Sequence, residues 1–212
     1  LGFEDDAQLF QAKANTIRNQ IVTYLWFDDD KSFFNVERGS LEAQKRVSYS
    51  NFIPLIEDIL VEQDGSEMIE RYLLNEDHML APWGIRTLSA QDVDYNNKNV
   101  IVPFSNWQGP VWPIANYLYS IGLVNYGFEE DAKHLASHMG TLLLDDIYAY
   151  GSMHENYHAD TGAPLAPTAE QSDNGVFTGF VGWNLLTQNM LQGAVEGEWM
   201  LLKIKTDREA QH

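Results

Sequence analysis

The chain has 212 residues, 44% of them hydrophobic and 21% charged, a composition that fits one globular domain or a large piece of one. Its formal net charge of -18 repels phosphate backbones and anionic membranes, which argues against nucleic acid and membrane partners while leaving neutral ligands indifferent. The absence of cysteine excludes disulfides, thiolate nucleophiles and cysteine zinc sites, and no apolar run is long enough to span a membrane.

Residues 4 to 25 read as an amphipathic helix, with Ala7, Phe10, Ala14, Ile17, Ile21 and Leu25 recurring at three- and four-residue spacing. Glu4, Asp5 and Asp6 suit its first turn, where the helix dipole favours negative charge. The segment before it has no initiator Met and no signal peptide, so the chain is expected to begin inside a longer polypeptide. Trp26-Phe27 closes the helix and Asp28-Asp29-Asp30 opens a loop; with Ser32 and Asn35 it has a weak calcium-like oxygen spacing, and a solvated turn is the plainer reading.

A shorter helix is predicted over 51–62, capped by Asn51, with Phe52, Leu55, Ile56, Ile59 and Leu60 inward. Another follows Asp64-Gly65-Ser66, turning Met68, Ile69, Tyr72 and Leu73 inward. Residues 81 to 109 read as irregular, with Val100-Ile101-Val102 as at most a short strand, and a loop of that length rich in aromatics points to function. A helix then starts at Pro110 or Pro113 and runs to about Tyr126, with Gly127 as its C-terminal cap. Residues 129 to 146 supply a partner helix, 151 to 176 a loop, and 179 to 192 a last helix using Phe180, Trp183, Leu186, Met190 and Leu191. From Glu198 onward the pattern is weak. Six helices joined by unequal loops describe an all-α array of hairpins without an internal domain boundary.

The unusual residues sit in the loops. Asn106-Trp107-Gln108-Gly109-Pro110-Val111-Trp112-Pro113 brings two indoles, two amides and a glycine together. Two readings fit: the tryptophans anchor a loop-to-helix junction, or they form an aromatic shelf on which a sugar ring stacks while Gln108 bonds its hydroxyls. Gly109 permits close backbone approach. In His154-Glu155-Asn156-Tyr157 one carboxylate lies between a histidine and a tyrosine, with no Lys or Arg nearby in sequence. A loop Glu is ordinarily a solvated surface group, but a carboxylate against aromatic walls suits acid–base chemistry. There is no HExxH pair, no Gly-rich phosphate loop and no GxSxG elbow, so neither a metal nor a cofactor is expected.

The order of these motifs resembles a known family. Gly84-Ile85-Arg86-Thr87-Leu88-Ser89, Tyr95, the segment from Asn106 to Trp112, Asn116-Tyr117-Leu118, Glu155-Asn156-Tyr157 with Asp160-Thr161-Gly162, and the stretch from Phe177 to Trp183 resemble glycoside hydrolase family 63 over residues 20 to 193. That family includes processing α-glucosidase I, bacterial α-glucosidase-like enzymes and mannosylglycerate hydrolases. The resemblance implies an (α/α)6 barrel, of which this chain would be roughly the C-terminal half, and inverting hydrolysis of an α-linked glucoside or related sugar. It places Glu155 at the general base. Trp107, Gln108, Gly109 and Trp112 fall at the sugar subsite, with Arg86, Tyr95, Tyr157 and Trp183 supporting it. The family's general acid lies in an Asp-Ser-Gly-x-Asp-like segment that this chain lacks. The acid, and the N-terminal half of the barrel, are therefore expected from outside these residues, and the chain alone is expected to be inactive. The alternative is a non-catalytic helical carbohydrate-binding or scaffold module.

Overall fold

The computed structural model describes residues 3–98, 106–165 and 182–199. Helix α1 (Glu4–Leu25) has the bounds its sequence pattern predicts. Its apolar stripe is another matter. No α1 residue is buried, and Phe10 and Ile17 are 64% and 56% exposed; only Ile21 and Leu25, at its C-terminal end, rest on the core.

Two small antiparallel ribbons follow. β1 (Trp26–Phe27) pairs with β2 (Ser32–Phe33), and β3 (Asn35–Val36) pairs with β4 (Ala43–Gln44). The acidic turn between the first two strands is held by lysines. Lys31 bonds Asp28 at 2.7 Å and Asp64 at 2.9 Å, and Lys45 bonds Asp30 at 2.7 Å. Strands of two residues carry no readable alternation, which is why these ribbons are absent from the sequence pattern.

The helix predicted over 51–62 is shorter and begins earlier. α2 (Tyr49–Phe52) is preceded by Ser48, whose N–H donates to Asn51 Oδ1 at 3.0 Å, so Asn51 closes a capping box from inside the helix instead of capping it. The chain tightens into a 3-10 turn over Ile53–Glu57, where Pro54 has no N–H to continue an α-helix, and ends at Asp58 with φ of 50°. α3 (Glu62–Met68) then runs into a π-turn at Ile69–Leu73.

Asp64-Gly65-Ser66 lies inside α3, not ahead of it. A Cβ on Gly65 would come within 2.0 Å of the Tyr126 ring, so this glycine serves a close approach between elements and not a turn. The Tyr126 hydroxyl in turn accepts from the Leu60 N–H at 3.1 Å. The irregular stretch from 81 opens inside a hairpin of β5 (Leu80–Ala81) and β6 (Gly84–Ile85). The expected strand at Val100-Ile101-Val102 lies outside the described residues.

The core is built on α4 (Pro113–Asn125), which begins at its proline and is followed by Gly127 at φ of 84°. Pro113, Ala115, Asn116, Tyr117, Tyr119, Ser120, Ile121, Gly122 and Leu123 are all buried, so α4 is enclosed on nearly every face. It packs against α5 (Glu129–Tyr150) and α6 (Leu186–Glu196), and these two pack on each other. Asn116 stitches α4 to the β5–β6 hairpin, accepting from the Ile85 N–H at 2.8 Å and donating to the Ile85 carbonyl at 3.0 Å.

α5 continues one turn beyond the predicted end at 146. Asp146 points inward and is 3% exposed, so the Asp145-Asp146 pair is no stop signal; Gly151, at φ of 70°, ends the helix. α6 begins at Leu186, later than the predicted 179. Residues 179 to 181 of that prediction fall outside the described residues.

Candidate active site

Four loop segments are laced side by side by single backbone bridges. Arg86 pairs with Val111, Val111 with Tyr157, and Tyr157 with Pro164, all antiparallel. The central rung exchanges both bonds, Val111 N–H to Tyr157 carbonyl at 2.8 Å and the reverse at 2.9 Å. This ladder brings together the Arg86 segment, the tryptophan loop and the Glu155 segment, far apart in sequence, beside the N-terminus of α4.

In the tryptophan loop the two indoles have different fates. Trp112 is fully buried and its Nε1–H donates to the Asn106 carbonyl at 2.8 Å. It is the junction anchor. Trp107 stacks on it with centroids 4.0 Å apart and planes 20° off parallel, is only partly buried, and has Tyr49 tilted against it at 4.8 Å. The stack positions Trp107 as a rigid shelf backed by Trp112. Gly109 has φ of 148°, and a Cβ there would lie 2.3 Å from the Asn96 carbonyl and 2.8 Å from the Tyr95 ring. Its close approach is to the neighbouring loop. Asn96 N–H donates to the Gln108 carbonyl and Gln108 N–H to Asn106 Oδ1, each at 2.8 Å. Gln108 Oε1 accepts from Asn96 at 3.3 Å, and its Nε2 has no partner among the described residues.

Arg86 is buried and spends its donors inside: on the Tyr95 hydroxyl at 3.1 Å, the Glu76 carbonyl at 3.1 Å, the Leu80 carbonyl, and Asp160 at 3.5 Å. Tyr95 also accepts from Asn97 at 2.9 Å. Arg86 and Tyr95 thus brace the loops from within. Arg86 borders a groove of about 670 Å³ with Asp160, Asp77 and His138, whereas Trp107 and Gln108 open onto a separate cavity of about 230 Å³. Glu155 lines neither.

Glu155 is half-buried, and no hydrogen bond reaches its carboxylate among the described residues. Burial raises its pKa above the ordinary 4.5. Its neighbours are firmly held by Asp146, a residue sequence reading passes over. Asp146 accepts from the His154 N–H at 2.7 Å, lies 2.9 Å from His154 Nδ1, and accepts from the Tyr157 hydroxyl at 2.6 Å. Burial pushes the Asp146 carboxyl up, but the bonds from His154 and Tyr157 outweigh it and hold the group below its usual range. Asn184 adds a bond to the His154 carbonyl at 2.8 Å. Tyr157 is fully buried, its hydroxyl spent on Asp146, and so acts on the Glu155 segment and not on a solvent-facing ligand. Trp183 is 43% exposed and tilts against Trp112 at 6.1 Å. Phe177 to Val181 lie outside the described residues. Among the described residues no three His, Asp or Glu groups could hold a metal, and no helix is long and apolar enough to cross a membrane.

The packed helical hairpins have counterparts among solved structures. The chain is similar to a GH63 mannosylglycerate hydrolase from Thermus thermophilus, solved with glucose, at 18% identity and a TM-score of 0.59 over 80% of this chain and 35% of that one. It is similar to the neutral trehalase of Saccharomyces cerevisiae at 17% identity and a TM-score of 0.61, covering 87% of this chain and 30% of that one. A sialidase is similar at 16% identity and a TM-score of 0.67, with 90% of this chain and 17% of that one covered. These identities establish the fold, the (α/α)6 barrel, of which this chain forms part. It belongs to the mannosylglycerate hydrolase MGH1-like glycoside hydrolase family, whose domain matches residues 1–174. The chain spans about a third of the length of the mannosylglycerate hydrolase it matches. No curated protein matches the chain in sequence.

Proposed function

We propose that the complete protein is an inverting glycoside hydrolase acting on an α-linked glucoside or related α-glycoside, with Glu155 as its general base. The supporting observation is the setting of Glu155: a half-buried carboxylate, unbonded among the described residues, between two residues fastened to one buried aspartate. Membership of a glycoside hydrolase family supports reading that carboxylate as catalytic. Glu155 accepts a proton from water, which attacks the anomeric carbon from the face opposite the leaving group. The leaving oxygen is protonated by an aspartic acid contributed from outside these 212 residues, by the N-terminal part of the barrel. Inversion needs the two carboxyls roughly 6.5–9.5 Å apart to admit the water. Trp107 stacks on the sugar and Gln108 Nε2 bonds a hydroxyl, while Trp112, Gly109, Arg86, Tyr95 and Tyr157 hold the loops that present them.

In the complete enzyme, Glu155→Gln is expected to lower kcat by about 10²–10⁴-fold with little change in KM, the usual contribution of a positioned general base. Proton NMR of the first-formed sugar should show the anomer opposite to that of the substrate. Wild-type turnover in Glu155→Gln removes the base assignment, and a retained anomer removes the inverting mechanism.

A further inference from the structure

Asn184 holds the Glu155 segment from the α6 side and has no place in the reaction as described. It is 2% exposed and sits in the turn that leads into α6. An asparagine there would ordinarily turn its side-chain oxygen to the free N–H groups of the helix start. This one does not: α6 begins without a side-chain cap, and Asn184 Oδ1 has no partner among the described residues. Its Nδ2 instead donates to the His154 carbonyl, 30 residues away in sequence, at 2.8 Å. An unpaired buried acceptor is unfavourable, so the reason for the amide lies at its other end. The turn itself is fixed, since the Trp183 and Asn184 carbonyls accept from the Leu186 and Thr187 N–H groups, each at 3.1 Å.

The His154 carbonyl belongs to the same peptide as the Glu155 N–H. At the other end of His154, its own N–H is held by Asp146 of α5 at 2.7 Å. The residue just before Glu155 is thus gripped from two helices. Two residues on, Tyr157 is fixed by its double rung with Val111 and by its hydroxyl on Asp146. Between these grips the Glu155 carboxylate makes no hydrogen bond among the described residues, so its backbone sets where it lies.

We propose that Asn184 is a positioning residue for Glu155, acting through the His154–Glu155 peptide as the α6 jaw of a clamp whose α5 jaw is Asp146. The proposal rests on the general-base reading of Glu155. Without the Asn184 bond the peptide can rotate, and the carboxylate, two methylenes out on the side chain, swings with it. A displacement of about 1 Å at a reacting group can cost about 10²-fold in rate. Asn184 is too buried to touch substrate, so its effect falls on turnover and not on binding.

The test compares Asn184→Leu, which keeps the side chain's shape and removes its donor, with Glu155→Gln and the double variant. All are measured in the complete enzyme with p-nitrophenyl α-glucoside. For Asn184→Leu, kcat is expected to fall about tenfold to a hundredfold with KM within about twofold of wild type. The unpaired acceptor leaves together with the lost bond, so the melting temperature should stay close to wild type. Added to Glu155→Gln, Asn184→Leu should cost nothing further, because the group it misplaces is already disabled. Amide exchange at Glu155 should quicken in Asn184→Leu, a readout that needs no substrate. Should the leucine variant fail to fold, Asn184→Asp, of the same size and without the donor when ionised, takes its place. Unchanged kcat and exchange overturn the clamp. So does a loss that multiplies equally through both backgrounds, which is what a purely structural role produces. Full turnover in Glu155→Gln removes the base and the clamp's object with it. A crippled Glu155→Gln beside a fully active Asn184→Leu removes the clamp alone.

Discussion

At the residue scale, Asp146 decides how the Glu155 segment is held. In sequence it is the second of two acids at the end of an apolar run, indistinguishable from a solvated helix terminus. Only the fold turns one acid inward beneath His154 and Tyr157. Glu155 and Trp107 stand out in sequence through the family-like motifs they sit in; Asp146 does not, because helix ends commonly hold acids. Asp146→Asn keeps the shape but weakens three bonds, and is expected to cost about 1–3 kcal/mol of stability, measured by urea denaturation at pH 7. The pH dependence has a definite sign. The fold lowers the Asp146 pKa below 3.8, so its stabilisation is complete above that value and is lost as pH falls through the lower folded value. Wild type should therefore lose its advantage over Asp146→Asn under acid. Glu155 shifts the other way: burial raises it above 4.5, and a base is active when ionised. The acidic limb of kcat/KM should accordingly lie above that of an ordinary carboxylate, and an unshifted limb would disconnect Glu155 from the profile.

At the scale of elements, long periodic helices are readable in the sequence and short pieces are not. α1 and α4 begin and end where acids, prolines and glycine punctuate them. The ribbons at 26–44 depend on pairing across space, which two-residue strands do not announce. Gly65 shows the limit most clearly. Asp-Gly-Ser reads as a turn by local chemistry, yet packing against Tyr126 places it mid-helix. Gly65→Ala would raise helix propensity by about 1 kcal/mol but drive a methyl into the Tyr126 ring. The expected balance is a loss of about 1–3 kcal/mol. Adding Tyr126→Leu, which removes the obstructing ring, should recover part of that loss in a thermal melt. A neutral or stabilising Gly65→Ala would show that the ring moves aside freely.

For the whole molecule, apolar side chains face outward along α1, the end of α5 and α6. Phe10 is 64%, Ile17 56%, Tyr148 80% and Val195 84% exposed. A surface of that kind needs a partner layer. In an (α/α)6 barrel the remaining hairpins would supply it, and with them the acid that the proposed mechanism pairs with Glu155. The 212 residues expressed alone are expected to bind an apolar dye, to self-associate in gel filtration, and to leave p-nitrophenyl α-glucoside unhydrolysed. A dye-silent monomer with hydrolytic activity would contradict this.

The ladder joining Arg86, Val111, Tyr157 and Pro164 also bears on the order in which the protein matures. Its first two rungs each close a long stretch of chain for a single pair of residues, the least rewarded kind of contact early in folding. Helices α4 and α5 are local and adjacent, and can form before either rung does. The end of the molecule that carries the candidate site would then set last, onto a scaffold already built. Damage to one of these rungs would shorten the lifetime of the native state while leaving the speed of its formation nearly untouched.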